Sequence, residues 1–336
     1  MHHTTPGNTP PACTIGRRGF VLSTLAATGS GLASTAFAQE PWPSRPVRII
    51  VPFAAGGGSD IIARFVATKL GAALGQPFVA DNKPGAGGNL GAEQGAKAAP
   101  DGYTLTLIAS SYSVNPAVYK LGFDPIDDIT PIVQISGGPL ILVANPQTGI
   151  KSVPDLIAIA KKQPGKLNYA TSGAGGITHA ATELLLEQAG IRMTHVPYKG
   201  TAPALNDTMA GLTDVFFSSV PSALPLINAG KLNAVAVTTT TRLKTLPNVP
   251  TVAETLPGYD VPHWHGLVGP RGLPPGMVAK VNQAVNAMLK EPGIDEHLQK
   301  DGVSAVGGTP EQLGERIRRE ITRWKKLAAA GNLKVE

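Results

Sequence analysis

The sequence predicts an α/β protein of two lobes, each a central sheet flanked by helices. Three observations carry that expectation. Residues 47–85 read as strand, glycine-rich turn, helix and strand. The same order recurs over residues 167–200. Between and after these units, short apolar runs keep alternating with helical ones.

In the first unit a β-branched run from Val47 to Val51 stops at Pro52. The turn Phe53-Ala54-Ala55-Gly56-Gly57-Gly58 follows, and Ser59-Asp60 opens a helix. Ile61, Ile62, Phe65, Val66, Leu70 and Ala73 fall near a 3.6-residue period, so one face is buried, and Gly75 ends the helix. Phe78-Val79-Ala80 is a second strand, leading to Asp81-Asn82-Lys83-Pro84-Gly85. In the second unit Leu167 to Ala170 is a strand and Thr171-Ser172-Gly173-Ala174-Gly175-Gly176 a turn. A helix then runs through Ile177, Ala181, Leu184 and Leu185 to Gly190. Met193 to Val196 is a strand closing with Pro197-Tyr198-Lys199-Gly200. A glycine turn before a helix aims unpaired backbone N–H groups and a positive helix end at one spot, where anions bind. Either turn alone is an ordinary βα reversal in which glycine merely lets the chain turn. The pair is what two lobes need to close on one small anion.

Further along, Asn89–Ala98 reads as a short helix and Tyr103–Ile108 as a strand, with Ser110-Ser111-Tyr112-Ser113 leaving its C-terminal end, where open α/β sheets place ligands. Pro131–Ile135 and Leu140–Ala144 read as two strands separated by Gly137-Gly138-Pro139. Ser152 caps a helix over Val153–Lys162, with Pro154 in its first turn. Helices over Ala202–Ala210 and Pro221–Ala229 alternate with strands at Asp214–Ser218 and Leu232–Val237. Residues 246–262 are proline-rich, as a linker would be, before a strand at His263–Val268. Helices over Pro275–Leu289, Ile294–Asp301 and Glu311–Ala330 end the chain. Two crossings between lobes, near residues 140–146 and 258–266, are the arrangement of a hinge. The expected division is a leader over 1–38, a first lobe over 39–142 and 261–336, and a second lobe over 143–260.

The leader is a targeting segment. Arg17-Arg18-Gly19-Phe20 precedes a modestly apolar stretch, and Ala36-Phe37-Ala38 is a small-x-small cleavage site. The paired arginines point to twin-arginine export, with a general secretory leader as the alternative, and cleavage after Ala38 would leave a periplasmic product. The stretch is too short and too rich in Ser, Thr and Gly to span a bilayer. Cys13 is the only cysteine and precedes that stretch, so neither a lipid anchor, a disulfide nor a thiolate metal site is expected in the mature chain. Losing Arg17 and Arg18 takes the formal charge from +6 to +4. That mild excess suits acidic ligands. Dispersed basic residues without interleaved aromatics argue against nucleic acid.

Val51-Pro52-Phe53-Ala54-Ala55-Gly56-Gly57-Gly58-Ser59-Asp60, followed by Asn82-Lys83-Pro84-Gly85-Ala86-Gly87-Gly88, closely resembles the extracytoplasmic substrate-binding receptors of tripartite tricarboxylate transporters, also called Bug receptors. The resemblance continues through Pro100-Asp101-Gly102-Tyr103-Thr104-Leu105, His195-Val196-Pro197-Tyr198-Lys199-Gly200, Leu246-Pro247-Asn248-Val249-Pro250-Thr251, Trp264-x-Gly266 and Arg323-Trp324. It implies a periplasmic-binding-protein-like flytrap that takes a small carboxylate (a di- or tricarboxylate, an acidic amino acid or an aromatic acid). Backbone N–H groups and ordered water of the glycine turns would hold it, and the membrane permease subunits would receive it. Two departures stand out. Gly176 replaces the usual hydroxyl residue at a helix start, with Thr178 a partial substitute. Ser218 replaces an Asp or Asn, which weakens the case for an amino-acid ligand.

The expected ligand-binding residues are Phe53, Ala55, Gly56, Gly57, Gly58, Asp60, Ser111, Ser172, Gly173, Thr178, His179, Tyr198, Lys199 and Ser218. Several have bland alternatives. Asp60 suits a helix cap, Lys199 a solvated position, and His179 a surface pair with Glu183. His263 and His265 share a strand face but lack a nearby carboxylate, so they are expected beside the hinge rather than on a metal. The basic residues from Arg316 to Lys326, opposite Ile317, Ile321, Trp324 and Leu327, form a solvated face or a docking surface. No cofactor or catalytic residue is expected: the chain has no G-x-S-x-G, H-E-x-x-H or Walker-type motif. A monomeric receptor is the reading; an exported carboxylate-processing enzyme and a signalling receptor are the alternatives.

Overall fold

The computed structural model describes residues 1–3, 7, 42–300 and 302–329. Cys13, Arg17, Arg18 and Ala38, on which the export reading rests, lie outside the described residues, as do Asp301 and Ala330.

From Trp42 onward the chain is a two-lobed α/β structure. In chain order it runs β1 (Val47–Val51), α1 (Gly58–Leu74), β2 (Phe78–Asn82), α2 (Asn89–Ala96), β3 (Thr104–Ala109), α3 (Ser111–Val118), β4 (Ile129–Ala144), α4 (Val153–Lys162), β5 (Asn168–Thr171), α5 (Ile177–Ala189), β6 (Thr194–Pro197), α6 (Thr201–Ala210), β7 (Val215–Ser219), α7 (Val220–Asn228), β8 (Asn233–Val237), β9 (Pro262–Pro270), α8 (Pro275–Leu289), α9 (Ile294–Lys300), β10 (Ser304–Ala305) and α10 (Pro310–Ala329). In the first lobe β1 lies parallel to β2 and β3, and β9 runs antiparallel between β3 and β4. In the second, β7 and β8 both run antiparallel to β4, and β5 is parallel to β6 and β7.

Gly137-Gly138-Pro139 does not separate two strands, because β4 is continuous through it. Residues 129–139 pair with β9 and residues 140–144 with β7 and β8. The glycines serve close approach rather than reversal: a Cβ on Gly138 would lie 2.9 Å from the Gly302 carbonyl oxygen. Pro139 stands opposite Pro262, so neither offers an N–H at the point where β4 changes partners. The return passage is at Val261, whose N–H donates to Thr238 O. Nor is the segment 246–262 a free linker. Val249, Val252, Tyr259 and Val261 are buried, and Tyr259 Oη donates to Ala181 O at 2.8 Å.

Helix α10 ties the lobes together. Leu313, Ile317 and Ile321 pack with Trp264 and Tyr112 beside the hinge, while Trp324, on the same stripe, enters the second-lobe core with Leu142, Ile177 and Leu184. Its basic face is not uniformly solvated. Arg316 is half-buried, 5.3 Å from the Trp264 ring, and Arg323 donates to Asp260 O.

Each glycine turn is held from behind. In the first lobe Asp60 Oδ2 accepts from Gly56 N–H and Arg64 Nε, both at 2.9 Å, and Oδ1 accepts from Asn82 Nδ2 at 3.0 Å. Asn82 Nδ2 also reaches Phe53 O. Burial acts to raise the Asp60 pKa, but the bonds from Arg64, Gly56 and Asn82 outweigh it and leave the carboxyl below its ordinary value. In the second lobe Gly175 N–H donates to His179 Nδ1 at 3.1 Å. The His179 ring stacks on His195 at 4.2 Å, and the Tyr169 ring lies near-parallel to both, 5.0 Å from His195 and 6.2 Å from His179. His179 is buried rather than paired at the surface. Its Nε2 stands 3.8 Å from Glu183, to which Tyr169 also donates. Burial, then the neighbouring His195, lowers the His179 pKa to about 3; burial lowers that of His195 to about 4.

Trp324→Ala removes the largest side chain that α10 buries in the second core, and should lower stability by about 3–5 kcal/mol in denaturant titrations. Arg319→Ala, exposed on the same helix, should change it by less than about 0.5 kcal/mol. Because both stacked histidines have folded pKa values below the unfolded 6.5, the stability they confer is fully present above pH 6.5. It should drain away as pH falls toward about 3. Thermal melts from pH 7 to pH 4 should show this slope, and His179→Asn, which keeps an acceptor for Gly175 but cannot titrate, should make it shallower while His195, His263 and His265 still contribute.

Candidate functional site

Where the lobes meet, two adjoining cavities share Phe53 and Ser172. The inner one, about 20 Å³, is lined by the starts of five helices. Gly58 and Ser59 belong to α1, Ser111 to α3, Ile177 and Thr178 to α5, and Thr201 to α6, while Ser219 is the N-cap of α7. In none of the five does the N-cap residue supply a side-chain cap. The outward-facing α4, by contrast, is capped by Ser152 Oγ. No Asp, Glu, Lys or Arg lines this inner chamber. Its polarity comes from hydroxyls, helix dipoles and the ring of His263.

The outer cavity, about 220 Å³, is bounded by Gly85–Gly88 and Tyr119 on one side and by Gly173, Ala174, Pro197, Tyr198 and Lys199 on the other. Lys199 is the one charged side chain lining either cavity, and it is exposed. Desolvation, helped by a bond to Asp207, pushes the Tyr198 phenol up to about 12, so it remains a neutral hydroxyl.

The lobes touch through backbone. Ala54 N–H donates to Lys199 O at 3.3 Å, and Tyr119 Oη donates to Ala174 O at 2.6 Å. Glycine permits these approaches. A Cβ on Gly87 (φ 62°) would stand 2.6 Å from Ala174 O, one on Gly173 (φ 153°) 3.0 Å from Gly87 Cα, and one on Gly58 2.3 Å from Ser219 Oγ. Gly57, by contrast, would meet nothing closer than 3.5 Å. The cap that Gly176 cannot provide comes from the other lobe, since Ser111 Oγ accepts from Ile177 N–H at 3.0 Å. Thr178 Oγ1 instead accepts from Ser172 N–H at 2.9 Å and holds the turn.

Of the residues singled out from sequence, Phe53, Gly57, Gly58, Ser111, Ser172 and Thr178 line the inner chamber. Gly173, Tyr198 and Lys199 join Phe53 and Ser172 around the outer one. Ala55 and Gly56 are exposed on the turn and line neither cavity. Asp60 and His179 stand behind the turns they hold. Ser218 is buried with its hydroxyl on Ser219 O, and strand alternation gives the chamber Ser219 instead. Ser59, Thr201, Ser219 and His263 were missed. The first three sit at strand-to-helix junctions, a signal readable from the strand-end rule alone. Among the described residues no group of three or more His, Cys, Asp or Glu is placed to hold a metal.

Comparison with known proteins agrees with this architecture. The family described as tripartite tricarboxylate transporter family receptor matches residues 62–333. Protein BugT of Bordetella pertussis is 35% identical over 303 residues, covering 88% of this chain and 91% of BugT. The structure titled R. palustris Rpa4515 with adipate has a TM-score of 0.84 at 37% identity, covering 87% of this chain and 99% of that one. MatC (Rpa3494) from Rhodopseudomonas palustris with bound malate has a TM-score of 0.81 at 33% identity, covering 85% and 99%. On the extent of these matches, the chain belongs to the receptor family of the tripartite tricarboxylate transporters.

Proposed function

We propose that this protein is an extracytoplasmic receptor that captures a small di- or tricarboxylate, or an aromatic acid, between its lobes and delivers it to the permease subunits of its transporter. The observation that carries the reading is a chamber ringed by five helix starts, none capped by its own N-cap side chain, with no charged side chain in its lining. Fixed N–H dipoles attract an anion without a counter-ion that would have to be desolvated with it. One carboxylate enters this chamber, and the rest of the ligand passes Phe53 into the outer cavity, within reach of Lys199. A four- to six-carbon acid exceeds the inner volume, so the lobes part further to admit it and then close. The hinge is the β4 and β9 passage at Pro139 and Pro262, with residues 39–142 and 261–336 in one lobe and 143–260 in the other. Export by the Arg17-Arg18 leader, with cleavage after Ala38, places the receptor in the periplasm. The adipate and malate held by two relatives support the ligand class.

Titration calorimetry with a panel of acids tests this. Simple dicarboxylates of four to six carbons should bind, and aspartate and glutamate should bind at least about tenfold more weakly. Neither cavity is lined by a carboxylate to receive an ammonium group. Tight aspartate binding without binding of the matching diacid would overturn the assignment.

The lobe contact gives a second test. Gly173→Ala places a methyl against Gly87 in the facing turn, whereas Gly149→Ala introduces a side chain at positive φ (74°) with nothing within 4 Å. Both should lose about 1–3 kcal/mol of ligand-free stability through backbone strain. Only Gly173→Ala should also lose affinity, by about tenfold or more.

A further inference from the structure

We propose that His263 is a ligand-binding residue, a neutral imidazole whose Nε2–H donates to the carboxylate seated in the inner chamber; this rests on the carboxylate-receptor reading and names a donor within it.

The tautomer follows from Ser110. Its hydroxyl is buried, and its one hydrogen-bond partner among the described residues is His263 Nδ1, at 2.6 Å. A buried O–H left without an acceptor is costly, so Ser110 donates, Nδ1 accepts, and the ring proton sits on Nε2. The ring itself is only 7% exposed and lines the inner chamber. With Nδ1 spent on Ser110, Nε2–H is the one polar group it has left to offer there. His263 is thus a nine-tenths-buried donor facing a cavity in which the other donors are hydroxyls and backbone.

Its surroundings keep it uncharged. Burial, then the positive Arg316 guanidinium, lowers its pKa to about 4. His265, edge-on at 4.6 Å, is itself neutral and fully engaged, with Nδ1 on Ser136 and Nε2 on Ser59. The two histidines of β9 therefore divide the task. His265 fixes Ser59 at the start of α1, and His263 addresses the ligand. An uncharged donor fits a site that otherwise holds its anion by dipoles. It also favours an acceptor such as carboxylate over an ammonium or another group with protons to donate.

Calorimetry with adipate and malate as probes, on the wild type and on variants confirmed folded by thermal melts, tests the assignment. His263→Leu keeps bulk without a donor and should weaken binding about ten- to a hundredfold. His263→Gln carries an amide N–H to the position of Nε2 and should recover affinity to within about fivefold. Should His263→Leu unfold, His263→Asn, whose amide reaches only as far as Nδ1 and can keep the Ser110 contact, should show the same loss. Leucine or asparagine variants binding as tightly as wild type would overturn the proposal. So would an equal loss in His263→Gln, since ring shape rather than donation would then matter. A wild type that binds no acid in the panel overturns the receptor reading and this inference together, an outcome distinct from wild-type binding that survives loss of the ring.

Discussion

The structure depends on one geometric constraint: five helix starts from two lobes converge on one small chamber that no charged side chain lines. Helix dipoles act only over their first turn, so α1, α3, α5, α6 and α7 must all begin within reach of one small volume. That requirement fixes much else. None of the five N-cap residues caps its own helix, and α5 takes its cap from Ser111 in the other lobe. The turns that feed α1 and α5 must be glycine-rich so that backbone from two lobes can approach within van der Waals distance. Because a glycine turn has little stiffness of its own, each is braced from behind, one by the Asp60, Asn82 and Arg64 network and the other by the His179 and His195 stack. Charge is kept out of the chamber and used behind it.

The same requirement explains how the lobes are joined. A five-residue contribution from β4 to the second sheet and the nine residues of β9 in the first make the connection from strands rather than loops. Strands resist twisting except where the ladder is interrupted, and the facing prolines at 139 and 262 interrupt it at the change of sheet. α10 spans the junction with one apolar stripe divided between the hinge cluster and the second core. Any motion at the prolines would have to carry Trp324 with it or pull it from the second core, so the proposed opening is a small, directed one.

How much of this could be read in the sequence depends on the range of the interaction. Strand, glycine turn and helix are local patterns, and α1, α5, α4 and α8 lie where periodicity and caps put them. Composition failed at Gly137-Gly138-Pro139, where turn chemistry was overridden by β9 and β10 pairing on either side of β4. It failed again at Asp60 and His179. Both types are common in binding sites, yet here each is consumed by a backbone N–H of its own turn, four residues back along the chain. Ser111 was identified as a cleft residue, but its role as a cap for α5 is a contact between residues 66 apart in sequence, which no local pattern encodes.

Ser110 and His263 are separated by 153 residues, and their pairing shows why ligand identity is the last thing such a sequence yields. A receptor that recognised its anion with Arg or Lys would display that choice in its composition at the site. Here the chamber is written in glycine, serine, threonine and one neutral histidine, residues whose ordinary use is in turns, caps and cores. On the proposed reading, discrimination rests on where hydroxyls and N–H groups point and on the distance from the inner chamber past Phe53 to Lys199. Those quantities belong to the fold, so two chains of this family can share the glycine turns and still differ in the acid they prefer. On the proposed reading, changes at lining positions such as 219 and 263 would shift the balance between carboxylate, hydroxyl and ammonium without altering the scaffold that presents them.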